Sequence, residues 1–408
     1  MNSISVNTAN NNGTLKRDPL KALSVLNDIF ALLFVGGLDN YNQYQMIFWP
    51  ITFMFFALTF INTYINQRKL NIFCVWAIVF GAYCILTGLW TNYPSSYRSL
   101  AIVIVRIALT FCFVSLYASN EKKANTLLYG FLIGSLILAL RIIIYTPLDD
   151  WGTVRLGGAI GLNENGVGAS MLWGSIICLY LSYKNRLLLI PFAFFTILAF
   201  LTGSKKVFFL FFVVIAVFFL EKIDKPEKII YLVPMALAVY GIYYASFNNA
   251  YLYNVIGSRL ETFFRVISDP DSAHGRGSTY VRMDLVNIGL DVFLRKPITG
   301  HGLGSFKFLN KYYTYAHNNY VELLACTGII GTVLYYIMPV SLLIKTTAIR
   351  MAKDKRITIF LLFTLVQLIQ DIGAVRFYDE TSAITLAVAY SMVSICLANP
   401  APALETER

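Results

Sequence analysis

Four basic side chains from three distant stretches of the chain, Lys205 with Lys206, Arg282 and His317, make a set able to act on a phosphorylated substrate. The lysines and the arginine supply fixed positive charge, which does most when it faces charge building on a departing group. An imidazole, with an unperturbed pKa of about 6.5, is suited to drawing a proton from a hydroxyl near neutrality. His317 stands in Ala316-His317-Asn318-Asn319-Tyr320-Val321-Glu322, so Asn318 and Glu322 join it as polar neighbours just ahead of an apolar run. A helix-capping or core role is the plain alternative for His317. The other histidines, His274 and His301, lie in Gly-rich stretches and carry no comparable signal.

Lys205 and Lys206 belong to a tight turn, Thr202-Gly203-Ser204-Lys205-Lys206-Val207. Lysines at a helix N-terminus oppose the macrodipole unless an outside anion is held there by charge and free amides together. Interfacial snorkelling is the other reading. The spacing GxxxxGK[ST] is missing, which excludes a Walker-type phosphate loop. Upstream, Val154-Arg155-Leu156-Gly157-Gly158 and Gly161-Leu162-Asn163-Glu164-Asn165-Gly166 open a helix, and Arg155 and Asn165 are further candidates for an anion. Capping alone also accounts for the asparagines. Arg106 falls in the middle of an apolar run, where an arginine costs about 2.5 to 3.5 kcal/mol on insertion scales. A partner such as Asp371 or Glu322, snorkelling, or an anion contact would offset that cost. The acidic pairs Asp149-Asp150 and Asp269-Pro270-Asp271 are the residues a competing, metal-dependent mechanism would use.

The elements that must position these groups are membrane helices. The chain is 57% hydrophobic and 13% charged, against about 25% charged in soluble domains. Its mean hydropathy is +0.62. Windows long enough to cross ~30 Å of hydrocarbon start near Ala22, Gln45, Asn71, Leu100, Thr126, Gly166, Leu187, Val207, Ile229, Tyr320, Ile357 and Thr381. The expectation is an all-α polytopic membrane protein of about twelve crossings with one long extracytoplasmic loop. It divides into an N-terminal membrane region (1–247), the loop (248–319), C-terminal membrane helices (320–399) and a tail (400–408). Basic residues support both ends inside. Lys16, Arg17, Lys21, Arg68, Lys69, Lys122, Lys123, Lys184, Arg186, Lys222, Lys225, Lys228, Lys345, Arg350, Lys353, Lys355 and Arg356 fall in the loops of one side. The short loops of the other side hold only Arg98, Arg155, Lys205, Lys206 and Arg376. The net charge of +11 follows this bias and does not indicate nucleic-acid binding.

Cys74, Cys84, Cys112, Cys178, Cys326 and Cys396 all fall in expected spans without CxxC spacing, so neither a disulfide framework nor a zinc site is indicated. The Asn-rich start shows no cleavable signal peptide. Within the long loop, Asn248 to Gly277 reads as irregular. Ser278 to Arg295 reads as a helix burying Val286, Leu290, Val292 and Phe293 and stopped by Lys296-Pro297. Gly300 to Phe306 reads as a turn, and Tyr312, Tyr313 and Tyr315 as an interface belt or as platforms for sugar rings. Short amphipathic helices on the membrane surface suit this composition.

These residues carry a resemblance. Arg282-Met283, then Lys296-Pro297-Ile298-Thr299-Gly300-His301-Gly302-Leu303-Gly304-Ser305-Phe306, His317-Asn318-Asn319-Tyr320-Val321-Glu322-Leu323-Leu324 and Gly328-Ile329-Ile330-Gly331 together resemble the signature of the O-antigen ligase and polymerase superfamily of bacterial envelope glycan assembly. Thr202-Gly203-Ser204-Lys205 is similar to that family's Ser-Arg turn, and Arg155 with Asn165 to its Arg and Asn before a helix. The resemblance implies a GT-C-like helical architecture and an inverting, metal-independent glycosyltransferase with no cofactor, in the inner membrane, acting at its outer face. It implies a glycan donor on undecaprenyl diphosphate, a glycan acceptor, contact with membrane lipids, and room for a chain-length regulator. Lys205 with Lys206, and Arg282, would bind the diphosphate, and His317 would orient or deprotonate the acceptor hydroxyl. The turn carries Lys where the family shows Arg, keeping charge without the bidentate fork, and Cys326-Thr327 replaces an acidic residue. Polymerase and ligase differ only in acceptor, and the turn with its compact loop looks slightly more like the polymerases. A transporter or flippase of lipid-linked sugars is the reading from another class, which the lack of an evident internal repeat disfavours.

Overall fold

A bilayer offers backbone groups no hydrogen-bond partners, so apolar runs of this length must fold as helices or as a closed barrel. The computed structural model describes residues 19–38, 45–151, 154–158, 161–182, 185–220, 230, 232–268, 278–352 and 354–400, with no strand among them. Its helices are α1 (Pro19–Gly37), α2 (Gln45–Ile65), α3 (Ile72–Leu86), α4 (Pro94–Tyr117), α5 (Glu121–Tyr145), α6 (Glu164–Leu181), α7 (Leu189–Leu201), α8 (Lys205–Leu220), α9 (Leu232–Asn248), α10 (Ala250–Leu252), α11 (Ser258–Ser268), α12 (Ser278–Arg295), α13 (Asn319–Met351), α14 (Thr358–Gln370) and α15 (Glu380–Ala398).

Among the described residues, 7 helices are long and apolar enough to cross a membrane: α1, α2, α3 with the 3-10 turn that carries it on to Leu89, α4, α5, α13 and α15. The protein is therefore all-helical and polytopic. A helix stands at every expected span position, yet α7 and α14 have 13 residues, α8 has 16 and α9 has 17. These fall short of the roughly 20 that a perpendicular crossing needs.

Side-chain caps fix where several helices begin. Asn71, Asn120, Asn163, Asn318 and Asp379 each accept a backbone N–H in the first turn of α3, α5, α6, α13 and α15. Such caps stabilise by about 1 kcal/mol each. Helix α13 holds a break at Gly328 (φ 64°, ψ −169°), where the sequence suggested a plain span. The opened carbonyls are taken up by the glycine loop, whose His301 and Gly302 N–H groups donate to Ala325 and Cys326 O at 3.0 and 2.8 Å. Ile329 N–H donates to Pro297 O at 2.8 Å in return. A Cβ at Gly300 would lie 2.5 Å from the Cys326 carbonyl, and one at Gly328 would lie 2.3 Å from Ile298 O. Gly300 and Gly328 of the family-like signature thus join the loop to the broken helix, while Gly302 and Gly304 let the same loop lie against Thr91 and Ser96 at the start of α4.

The described part of the stretch expected to be irregular, 248–268, is helical almost throughout. Tyr253–Gly257 forms a π-helical turn that leads into α11. α12 matches its expected bounds, but its buried face is Leu285, Gly289 and Val292, while Leu290 is 41% exposed. A Cβ on Gly289 would come within 2.1 Å of Val321 Cγ1, so the glycine lets α12 lie against α13. Arg106 is paired with Glu380 at 2.7 Å, not with Asp371 or Glu322, and sits over the Trp49 ring. That ion pair between α4 and α15 offsets its burial.

Candidate functional site

The turn before α8 is built by two arginines. Gly203 takes φ 60°, and a Cβ there would meet Val255 O at 2.4 Å. Arg155 Nε donates to Thr202 O at 2.8 Å and its Nη2 to Asn165 Oδ1 at 3.2 Å, while Nη1 pairs with Glu164 at 3.2 Å. Arg259, from α11, donates to Gly203 O at 3.2 Å. Carbonyls that would repel an anion are thereby occupied. Asn163 caps α6, and Asn165 instead holds Arg155, so the two asparagines divide the roles that the sequence left open. Lys205 Nζ donates to Thr279 Oγ1 at 2.9 Å, tying the start of α8 to the start of α12.

The facing wall depends on Asn319, which is fully buried. Its Nδ2 donates to Tyr336 Oη at 2.8 Å and Asp371 Oδ2 at 3.2 Å. Its Oδ1 accepts from the Arg376 and Phe377 N–H groups at 2.7 and 2.9 Å. One side chain therefore fixes the loop between α14 and α15 against the start of α13. Arg376 is 7% exposed, bonded to Ser382, Gln370 and Asp379. Just ahead of α13, His317 adopts φ 53°, a backbone region that non-glycine residues seldom hold, and its ring lies 4.1 Å from that of Tyr315.

Between these walls lies a cavity of about 600 Å³. Arg155, Lys205, Lys206, Arg259, Arg282 and Arg376 line it together with His317, Asn163, Asn165, Ser278, Tyr315 and Tyr378, and no carboxylate is among the lining residues. Arg282 is the common neighbour: its charge bears on Arg155, Lys205, Lys206 and His317. Neither Arg282 nor Lys206 has an ion-pair or hydrogen-bond partner among the described residues. Burial and the surrounding arginines push Lys205 and Lys206 down to about 8. Burial, then the charges of Arg282 and Lys206, lower His317 to about 4, so its imidazole is neutral at physiological pH. Such crowding of like charge is unfavourable until an anion enters, whose negative charge offsets the repulsion and raises the lysines again.

Of the residues singled out in the sequence, Arg155, Asn165, Lys205, Lys206, Arg282 and His317 come together here. Asn318, Glu322 and Arg106 do not line the cavity. Asn318 caps α13, and Glu322 is buried and accepts the Ala316 N–H at 2.7 Å, bracing the backbone next to His317. Sequence reasoning missed Arg259, Arg376 and Asn319. A charge at Arg376 on a side poor in basic residues was a usable signal, whereas Arg259 was hidden in a stretch read as irregular. Asp149 and Asp150 are not among the lining residues. Asp269, Asp271, His274, the tail 401–408, Lys16, Arg17, Lys184, Lys222, Lys225, Lys228 and Lys353 lie outside the described residues.

Fold and site define a polytopic membrane protein with a cation-lined cavity at one rim of its helices. Residues 159–336 match the family model described as O-antigen ligase, and the resemblance to the O-antigen ligase and polymerase superfamily is borne out over that stretch. The match includes the α8 turn, Arg259, Arg282, His317 and the Gly328 break, while Arg155 and Arg376 lie beyond it. No curated protein matches the chain.

Proposed function

We propose that the protein is a polysaccharide repeat-unit polymerase, an inverting glycosyltransferase that moves glycan from undecaprenyl diphosphate onto a sugar hydroxyl of a second lipid-linked repeat unit. The observation that carries this reading is the single cavity in which six cations surround a neutral imidazole without a lining carboxylate. In this reading the acceptor oxygen attacks the anomeric carbon as the bond from that carbon to the diphosphate oxygen breaks. The bonding pair leaves with the diphosphate, the acceptor proton passes to His317, and Arg282, Lys205 and Lys206 meet the charge released. Arg155, Arg259 and Arg376 shape the same field. A lining of cations and no carboxylate suits a phosphate far better than a divalent metal, which prefers oxygen ligands bearing negative charge. The working arrangement puts both termini and the basic loops in the cytoplasm, residues 248–319 outside as the loop between the 1–247 and 320–399 membrane regions, and the cavity at the outer leaflet.

A ligase acting on lipid A-core is the second reading, favoured by the description of the matched family. Purified protein incubated with undecaprenyl-diphosphate repeat units alone separates the two. A polymerase gives a ladder of products that persists in the presence of a chelator. No ladder, together with transfer once lipid A-core is added, would establish the ligase. Loss of the ladder on chelation with recovery on adding magnesium would overturn the metal-free mechanism.

A further inference from the structure

At the opposite rim, the ends of α1, α2, α4 and α5 enclose a second cavity of about 220 Å³. Ser24, Asn27, Thr59, Asn62, Asn66 and Arg68 lie in its wall, giving amides and hydroxyls beside one arginine. Asn27 is only 2% exposed, and its Oδ1 accepts from Thr59 Oγ1 at 3.2 Å. Its amide nitrogen has no hydrogen-bond partner among the described residues, although it belongs to a buried side chain in the cavity wall. Lys123 also lines the cavity but is neutralised by Asp28 at 2.6 Å. Arg68 has no carboxylate partner among the described residues and makes only a long contact, 3.5 Å, with Leu116 O.

Arg68, Thr63 and Leu116 also line a groove of about 620 Å³ along the outside of α2, α3 and α4. The rest of that groove is apolar, including Ile78, Ala82, Ile85, Val105 and Leu109. Ile78 and Val105 are 51% and 45% exposed, so the groove opens toward the lipid. An apolar groove accepts any hydrocarbon, and a polar cavity accepts many solutes. Their continuity through one unpaired arginine selects a molecule with a tail, a phosphate and a hydroxyl-bearing head, in that order.

The geometry points to a bound anionic phospholipid of the phosphatidylglycerol class. Its phosphate sits on Arg68, its glycerol hydroxyls meet the amides around Asn27, and one acyl chain fills the groove. An ethanolamine head would bring a second cation beside Arg68 and leave the amide nitrogen of Asn27 without an acceptor. This site lies at the far ends of α2, α4 and α5 from the cation-lined cavity and is independent of the reaction proposed there.

Native mass spectrometry of the full-length protein, loaded with phosphatidylglycerol or phosphatidylethanolamine of matched chains, tests the assignment. The expected result is selective retention of phosphatidylglycerol. Arg68→Ala should reduce that retention about fivefold, the factor expected for one arginine at an anionic headgroup. Ala82→Trp, at an exposed groove position, should reduce retention of both lipids. Equal retention of the two lipids by the unaltered protein would overturn the proposal, as would undiminished phosphatidylglycerol on Arg68→Ala. Cross-linking of two Ala82→Cys chains through the groove would instead assign that surface to a second copy. If a variant fails to fold, the lipid comparison on the unaltered protein still decides.

Discussion

His317 is held in a left-handed backbone region between Arg282 and Lys206, with its imidazole stripped of charge. Strain of this kind costs about 1 to 3 kcal/mol and persists only where the surroundings enforce it, here the Asn318 cap on one side and the Ala316 to Glu322 bond on the other. A base lowered to about 4 keeps its lone pair at pH 5 to 8, so activity should show no loss near pH 6.5. The lysines set the other limb. On the proposed reading their protonated forms would bind the diphosphate, and in the free protein they lose that proton as pH rises through about 8. The donor's kcat/KM should therefore decline above about 8. In kcat, measured with donor bound, that limb should move to higher pH because the anion restores the lysines' affinity for protons. A profile that instead falls below pH 6.5 would show an unperturbed imidazole. His317→Ala should lower kcat by about 10²- to 10⁴-fold, and Arg282→Ala by about 10²- to 10³-fold, with both proteins still folded. Full turnover in either variant would remove that residue from the site. The gathering of these residues was legible beforehand because basic residues in short loops that break the charge bias of the rest of the chain are costly to keep without a use. Arg106 looked equally costly, yet Glu380 answers it, and pairing across helices leaves no mark in the local sequence.

At the scale of elements, the site rests on two joints, the glycine loop in the break of α13 and the Asn319 clasp on the α14–α15 loop. Gly328→Ala would impose a Cβ 2.3 Å from Ile298 O at φ 64°, so the break would have to shift. Thermal unfolding in detergent should occur several degrees lower, with activity reduced in step, since His317 immediately precedes the half-helix this joint orients. An unchanged melting temperature would mean that the joint tolerates a side chain. Asn319→Ala removes four hydrogen bonds that no single replacement can supply. Its effect should fall mainly on turnover, because Arg376 and His317 are the groups it aligns, and Asn319→Asp should not rescue it beside Asp371. Much of this architecture was readable in outline. Apolar windows gave the helix positions and Lys296-Pro297 gave the end of α12. The break in α13, the helical course of α11 and the true buried face of α12 were not, for a common reason. Each is decided by a neighbour distant in sequence: the glycine loop for the break, the Gly203 turn for Arg259, and Val321 for Gly289.

Across the whole molecule, helix direction sorts charge into two rims. The cavity lies where α6, α8 and α13 begin and α7 and α14 end, whereas Arg68, Lys122, Lys123, Arg186, Lys345, Arg350 and Lys355 stand at the other ends of their helices. The second rim has the basic character of a cytoplasmic face. At the first rim six basic residues gather in the cavity, while Arg98, Arg295, Lys296, Lys307 and Lys311 are exposed outside it; a cluster of that kind, with no carboxylate in its lining, is the pattern expected if the cavity's charges answer to a substrate and not to topology. The cavity rim should then face outward. Tyr313 is 69% exposed near His317, and Lys355 is exposed at the opposite rim, so single cysteines at these positions report the two faces. The native cysteines lie within helices, and all but Cys112 are buried, so the unaltered protein serves as the background. In intact spheroplasts a membrane-impermeant maleimide should label Tyr313→Cys at once and Lys355→Cys only after permeabilisation. The reverse order would turn the cavity toward the cytosol, where a glycan displayed on the outer leaflet is out of reach, and the proposed transfer would have to be abandoned even with every cation in place.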